Sequence, residues 1–331
     1  MGRQLFVATG RGLAIAEFGA GAWQVTAHTL PERQVESVAA QNGVILAGTT
    51  DGILRSDDGG VTWTEASAGL TTRYIRMLAF HPAVPGRVFA GSEPAGIFVS
   101  HDGGTTWRAC PEIEHLRDEH GWFLPYAPRA GCVRAFAFHG DRAYAAVEVG
   151  GLLRSDDQGE TWRLAAGSTG VPDFATPVAR TFLHPDVHFV VVATDNADAV
   201  FAATHSGFYR SDDGGQRWLH LYTNCYIRAV WIDPADPDHL VVGPGDSVSV
   251  NGQIEETRDG GWSWTLASAG MRVPWPRAVV ERFAQVGDEL FAVISNGQLL
   301  AAPLATRVWQ RVLVNLEGIN AVAAMTEAAA G

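Results

Sequence analysis

Along most of this chain apolar and polar residues alternate in short runs, and Gly, Asp and Pro break the runs before they lengthen. Gly52-Ile-Leu-Arg-Ser56 and Gly207-Phe-Tyr-Arg-Ser211 alternate with period two. Upstream of such segments lie others, for example Arg87-Val-Phe-Ala-Gly91 and Ala143-Tyr-Ala-Ala-Val147. Earlier still comes a third kind, such as Tyr74-Ile-Arg-Met-Leu-Ala-Phe80. Runs of this type predict short, half-buried strands, and no helical period of 3.6 is sustained.

The strands recur in a fixed order around a repeated box. Ser56-Asp-Asp-Gly-Gly-Val-Thr-Trp63 returns as Ser100 to Trp107, Ser155 to Trp162, Ser211 to Trp218 and Thr257 to Trp264. Trp23 and Trp309 mark two further repeats that keep only the terminal tryptophan. The seven tryptophans are separated by 40, 44, 55, 56, 46 and 45 residues, which suits one four-stranded blade each. The box reads as a hairpin in which Asp and Gly meet the backbone demands of the turn and Trp opens the next strand. The length alone would suggest two domains, but the repeat overrides it. The expected fold class is all-β: a single seven-bladed β-propeller domain over residues 1–331, with four antiparallel strands per blade. Because Gln4 to Thr9 reads as a second strand, the first blade lacks its inner one. Gly318-Ile-Asn-Ala-Val-Ala-Ala-Met325 matches the next blade's inner strand, Val35 to Gln41. The C-terminal strand is therefore expected to complete the N-terminal blade and remove two exposed sheet edges.

The five S/T-x-D-x-G-x-x-W boxes resemble the Asp-box, or BNR, repeat of sialidases, sortilin-type receptors, xyloglucan-cleaving hydrolases, photosystem II assembly factors and many bacterial propellers. The resemblance covers nearly the whole chain and implies the propeller fold. It implies no single function, since such families contain both enzymes and binding scaffolds.

Composition narrows the classes. The chain carries a net charge of −12, and its 24 basic residues are all arginine. Without a basic run, nucleic acid and anionic membrane are not expected partners. Without lysine there is neither a Schiff base nor a Walker phosphate loop. No apolar stretch reaches the roughly 20 residues of a membrane span, and the N-terminus reads directly into a strand, with no secretory signal. Three cysteines without CxxC spacing suggest a reduced compartment, so the expected location is cytoplasmic. With neither HExxH nor a His/Cys ligand spacing, no metal and no cofactor are expected.

Aligning the inner strands isolates one position. Arg76, His188 and Arg228 each lie 13 residues before an aligned residue of the next strand; Glu36, Arg134 and Glu281 lie 10 before theirs; and Asn320 matches Glu36. Every blade thus carries a polar or ionisable residue at one equivalent place in an otherwise apolar strand. A core face would not tolerate seven such side chains without partners. Two readings follow: an ion-pair girdle around a wet channel, or a binding site in which three arginine forks grip a carboxylate or sulfate. In blade five the register leaves a choice between His188 and Arg180.

Turns between the second and third strands open onto the same face and supply Asp51, Glu93, Glu148, His205 and Asp246. Glu148, flanked by valines, is the first candidate for general acid or base, Glu93 the second, and His205 the proton-transferring histidine. The long insert from Pro111 to Arg129, with Trp122 and Tyr126, is a candidate lid or stacking wall, and Tyr226 could add to the rim. The expected ligand is an anionic small molecule or saccharide, acted on by hydrolysis or elimination. The alternative is a non-catalytic assembly scaffold. Sialidase chemistry itself is not indicated, because the Arg-Ile-Pro segment is missing and no Tyr–Glu nucleophile pair can be placed. No residue pattern points to a particular oligomeric state.

Overall fold

A computed structural model describes residues 3–124, 131–172 and 181–326. Its strands form seven separate four-stranded antiparallel sheets. The innermost strands, numbered here as blades one to seven, are Ile319–Ala323, Val35–Gln41, Ile75–Phe80, Cys132–His139, Val187–Val192, Tyr226–Asp233 and Val280–Val286. Each touches the next and the last returns to the first, so the sheets close into a ring. Closure runs through the first blade, where Ile319–Ala323 pairs with Gln4–Thr9. The seven-bladed, C-terminally closed architecture expected from the repeat is the one observed.

The core lies between the blades rather than within them. Phe89, Ile97 and Val99 of blade three meet Val133, Phe136 and Ala145 of blade four in one buried cluster, and equivalent clusters fill the other seams. Every blade therefore buries both faces, which explains apolar residues on both sides of its middle strands.

The repeated boxes lock the outer hairpins. In blade two, Ser56 Oγ donates to Asp58 Oδ1 (2.8 Å) and accepts from Gly60 N (2.9 Å), while Thr62 N donates to Asp58 Oδ1 (2.9 Å). Trp63 Nε1 then closes on the Gly60 carbonyl at 3.0 Å. The second glycine has a positive φ and a neighbour across the seam. At Gly104 (φ 84°) a Cβ would stand 2.6 Å from Leu46 of the preceding blade, so no side chain fits.

The insert after blade three adds a helix to the strands: Pro111–His120 is an α-helix with Pro in its first turn and Gly121 in the left-handed conformation at its end. At ten residues it is too short for its period to stand out from the surrounding strands. Among the described residues no helix is long and apolar enough to cross a membrane.

Candidate functional site

All seven aligned positions are β-bulges. Pairing with the second strand skips from Val35 to Ser37, Ile75 to Met77, Val133 to Ala135, Val187 to Phe189, Ile227 to Val230 and Val280 to Arg282, and in the first blade from Ile319 to Ala321. Glu36, Arg76, Arg134, His188, Arg228, Glu281 and Asn320 each fall in the skipped step. A bulge leaves its extra residue outside the ladder and re-aims its side chain. Seven bulges at one level therefore set a ring of polar groups at one end of the channel. His188, not Arg180, holds the place in blade five; Arg180 and Tyr126 lie outside the described residues.

The ring is cross-linked. Arg76 Nη1 donates to Glu36 Oε2 of the neighbouring blade (3.2 Å), and its Nε lies 3.6 Å from Glu93 Oε2. Arg228 Nη1 donates to both oxygens of Glu281 (2.7 and 2.9 Å). Glu281 also accepts from Arg134 Nη2, three blades away across the channel (3.3 Å). Arg134 Nη1 lies 3.3 Å from Glu148 Oε2. Asn320 Nδ2 donates to the Val35 carbonyl (2.8 Å) and ties blade one to blade two. The tyrosines Tyr74 and Tyr226 accept from Arg76 and Arg228.

A cavity of about 530 Å³ opens over this ring, lined by Arg76, Arg134, Arg228, Arg282, Glu36, Glu281 and Asn320 together with Gln34 and Tyr74. Four guanidinium groups thus share its wall with two carboxylates. Arg282, unremarked in the sequence, is the residue just after the blade-seven bulge. It crosses to blade three, donating to the Arg76 carbonyl (3.1 Å) and to Met77 Sδ (3.3 Å). Among the described residues it has no carboxylate partner within ion-pair distance. Burial, then the charges of Arg134 and Arg76, push its pKa down to about 10.

The carboxylates differ by surroundings. Burial works to raise Glu281, but Arg228 and Arg134 outweigh it and hold the carboxyl below the ordinary glutamate range. At Glu93 burial wins over Arg76, and its pKa lies above that range. Glu93 and Glu148 are both buried (6% and 3% exposed) and neither lines the cavity; they stand behind Arg76 and Arg134. Cys132, also buried, is pushed up to about 11, chiefly by burial, and is no thiolate at neutral pH.

In the neighbouring corner, His188 Nδ1 lies 2.7 Å from the Ile227 carbonyl and its Nε2 lies 3.3 Å from Asp186 Oδ1. Half-exposed His205 places Nδ1 3.7 Å from Asp186 Oδ2 and packs on His184 and Tyr226. Asp186 escaped the sequence reading although it stands two residues before His188, the spacing that puts two side chains on one face of an extended strand. Burial raises its carboxyl, but the histidines outweigh that and bring it down to about 2.

Trp122 departs from the expected role. It is 3% exposed, donates from Nε1 to the Gly170 carbonyl (2.7 Å) and packs in the core between blades three and four. The helix before it turns the indole inward, so it forms no wall of the cavity.

Fold and site together define a β-propeller with a charged, arginine-rich channel mouth. The sequence agrees: residues 5–227 match the DUF6242 beta propeller domain, and the chain belongs to that family. No curated protein sequence matches it. Among solved structures it is similar to an ancestral GH74 enzyme (TM-score 0.60, 16% identity, 81% of this chain). It spans only 36% of that enzyme's length. A YCF48 bound to a D1 peptide is similar too (TM-score 0.59, 14% identity, 94% of this chain and 88% of that one). So is YCF48 from Cyanidioschyzon merolae (TM-score 0.59, 14% identity, 95% and 92%). At these identities the likeness is one of fold.

Proposed function

We propose that this chain is a ligand-binding propeller whose channel mouth takes a carboxylate- or sulfate-bearing small molecule or saccharide. The observation that carries the reading is Arg282: a half-buried guanidinium on the cavity wall, crowded by Arg76 and Arg134 and, among the described residues, with no carboxylate within ion-pair distance. A partly desolvated charge without a close counter-ion is costly, and an anion in the cavity would relieve it while offering oxygens to the forks of Arg76 and Arg228. The cavity's size suits a small ligand.

A catalytic role, as hydrolase or lyase, is supported by Glu93, whose raised pKa suits a proton donor. Its place behind Arg76 weighs against it, since a donor must reach the reacting atom. The ion pairs that fill the ring support the alternative of a non-catalytic interaction scaffold. The fold is shared with a GH74 enzyme and with a peptide-binding YCF48, so it favours neither.

Thermal melting with sugar acids, sulfated sugars and aromatic carboxylates tests the reading. An anion at 100 times its Kd stabilises by about 2.7 kcal/mol. For a chain of this length that is a rise of about 4 °C. Arg282→Met should leave the free protein as stable or more so, yet abolish the rise. If no anion in the panel moves the transition of the wild type, the pocket is a structural girdle and the proposal fails.

A further inference from the structure

We propose that Glu148, Asp186 and His188 bind one divalent metal ion of zinc type, held by the imidazole Nε2 and one oxygen from each carboxylate. Glu148 ends the second strand of blade four, Asp186 immediately precedes the inner strand of blade five, and His188 is its second residue. Their donor atoms all lie within 4.8 Å of one another, and all three residues are more than nine-tenths buried.

The hydrogen bonding argues for a cation among them. His188 Nδ1 sits 2.7 Å from the Ile227 carbonyl, an acceptor, so Nδ1 carries the proton. In the neutral ring that leaves the Nε2 lone pair facing Asp186 Oδ1 at 3.3 Å. Nε2 has no hydrogen-bond partner there, and Glu148 Oε2 accepts no hydrogen bond, its near cation being Arg134 at 3.3 Å. Two acceptors turned toward each other in a buried place repel unless something positive, a second imidazole proton or a metal ion, lies between them. An imidazole anchored through one nitrogen to a carbonyl, with the other nitrogen presented, is the usual bearing of a metal-binding histidine.

The spacing agrees. Zinc bonds of about 2.0–2.2 Å in tetrahedral geometry set donors roughly 3.3–3.6 Å apart. The His188–Asp186 edge already has that length, and the Glu148 oxygen, within 4.8 Å of both, must close in to match it. Val149 N, 3.3 Å from Asp186 Oδ1, and Arg134 Nη1, 3.3 Å from Glu148 Oε2, orient the two carboxylates from outside. The cation of Arg134 lowers the affinity but shares only one of the acids. One imidazole and two carboxylates suit zinc over calcium or magnesium, which prefer all-oxygen sites. Three protein donors leave a position for water or a ligand atom. Half-exposed His205, 3.7 Å from Asp186 Oδ2, connects the cluster to the surface.

This inference stands apart from anion binding, and either can fail alone. The test is to strip the full chain with a chelator and titrate it with Zn²⁺, with Co²⁺ as a spectroscopic substitute and Ca²⁺ as comparison. Expected are one zinc equivalent per chain, visible Co²⁺ bands of four-coordinate intensity, and no calcium response. His188→Gln and Asp186→Asn should each weaken zinc by more than the about 10–100-fold that loss of an outer partner costs. Crystals of the zinc-treated wild type, measured at the zinc absorption edge, should show an anomalous peak between the three side chains; this arm holds even if the variants do not fold. No stoichiometric zinc in the wild type, a peak elsewhere, or unchanged affinity in folded variants overturns the site. A proton on Nε2 would then be what quiets the carboxylates.

Discussion

Glu281→Gln removes one charge from the centre of the ring and almost no volume. In the wild type that carboxylate receives both contacts from Arg228 Nη1 and one from Arg134 Nη2, with all three side chains at least four-fifths buried. Removing one member of a buried ion pair costs about 3–5 kcal/mol, because the partner charge stays desolvated. At ~2.1 cal/mol/K per residue the unfolding entropy of this chain is about 0.7 kcal/mol/K, so the melting temperature should fall by about 4–7 °C at pH 7. The pH profile supplies a second check. Glu281's native pKa is depressed. Its contribution is therefore full above the unfolded value of about 4.3 and disappears as the pH falls through the native one. Calorimetry of both proteins from pH 7 down to about 3.5 should show a gap that is constant at first and narrows only below about pH 4.3. Replacing Arg228 and Glu281 together by Met should cost less than the sum of the single changes, because no uncompensated charge then remains between them. A shift of less than about 1 °C at pH 7, or a gap that widens in acid, refutes the view that these charges sustain one another.

Two further outcomes follow from the same physics. Trp122→Ala removes a buried indole and its bond to Gly170 and should cost about 3–5 kcal/mol in chemical denaturation. Since the ring does not touch the cavity, anion titrations of the folded variant should be unchanged. Burial raises the Asp102 carboxyl, but bonds from Thr106 and Ser100 outweigh it and bring the pKa down to about 2. The stability it lends is therefore present above about pH 3.9 and lost as the pH falls through about 2. The difference between wild type and Asp102→Asn in acid titration, followed by tryptophan fluorescence, should shrink across that interval.

Much of the site was legible because a propeller repeats. Strand offsets of 13 and 10 brought seven polar positions into one frame, and the bulges occur at those places. Arg282 is not legible in the sequence, because strict alternation sends the residue after Glu281 to the opposite face. The bulge breaks that alternation, and local pattern does not reveal a bulge. The place of Trp122 is not legible either, because an aromatic in an insert reads the same whether it lines a pocket or plugs a seam. Asp186 does not stand out in the sequence because a lone aspartate before a strand is usual in turns; the fold brings Glu148 of blade four and His188 to it.

Turn chemistry, period-two alternation and the spacing of seven tryptophans are properties of neighbouring residues, and they determined the blades, their number and the strand that closes the ring. Closing the ring decided the rest. Whether Arg134 meets Glu281 across the channel, whether Arg282 finds a carboxylate, and whether Glu148 stands beside His188 all depend on blades far apart in the chain meeting at one axis. Electrostatic energy there follows distances of a few ångströms and the removal of water, and the linear order of residues contains neither.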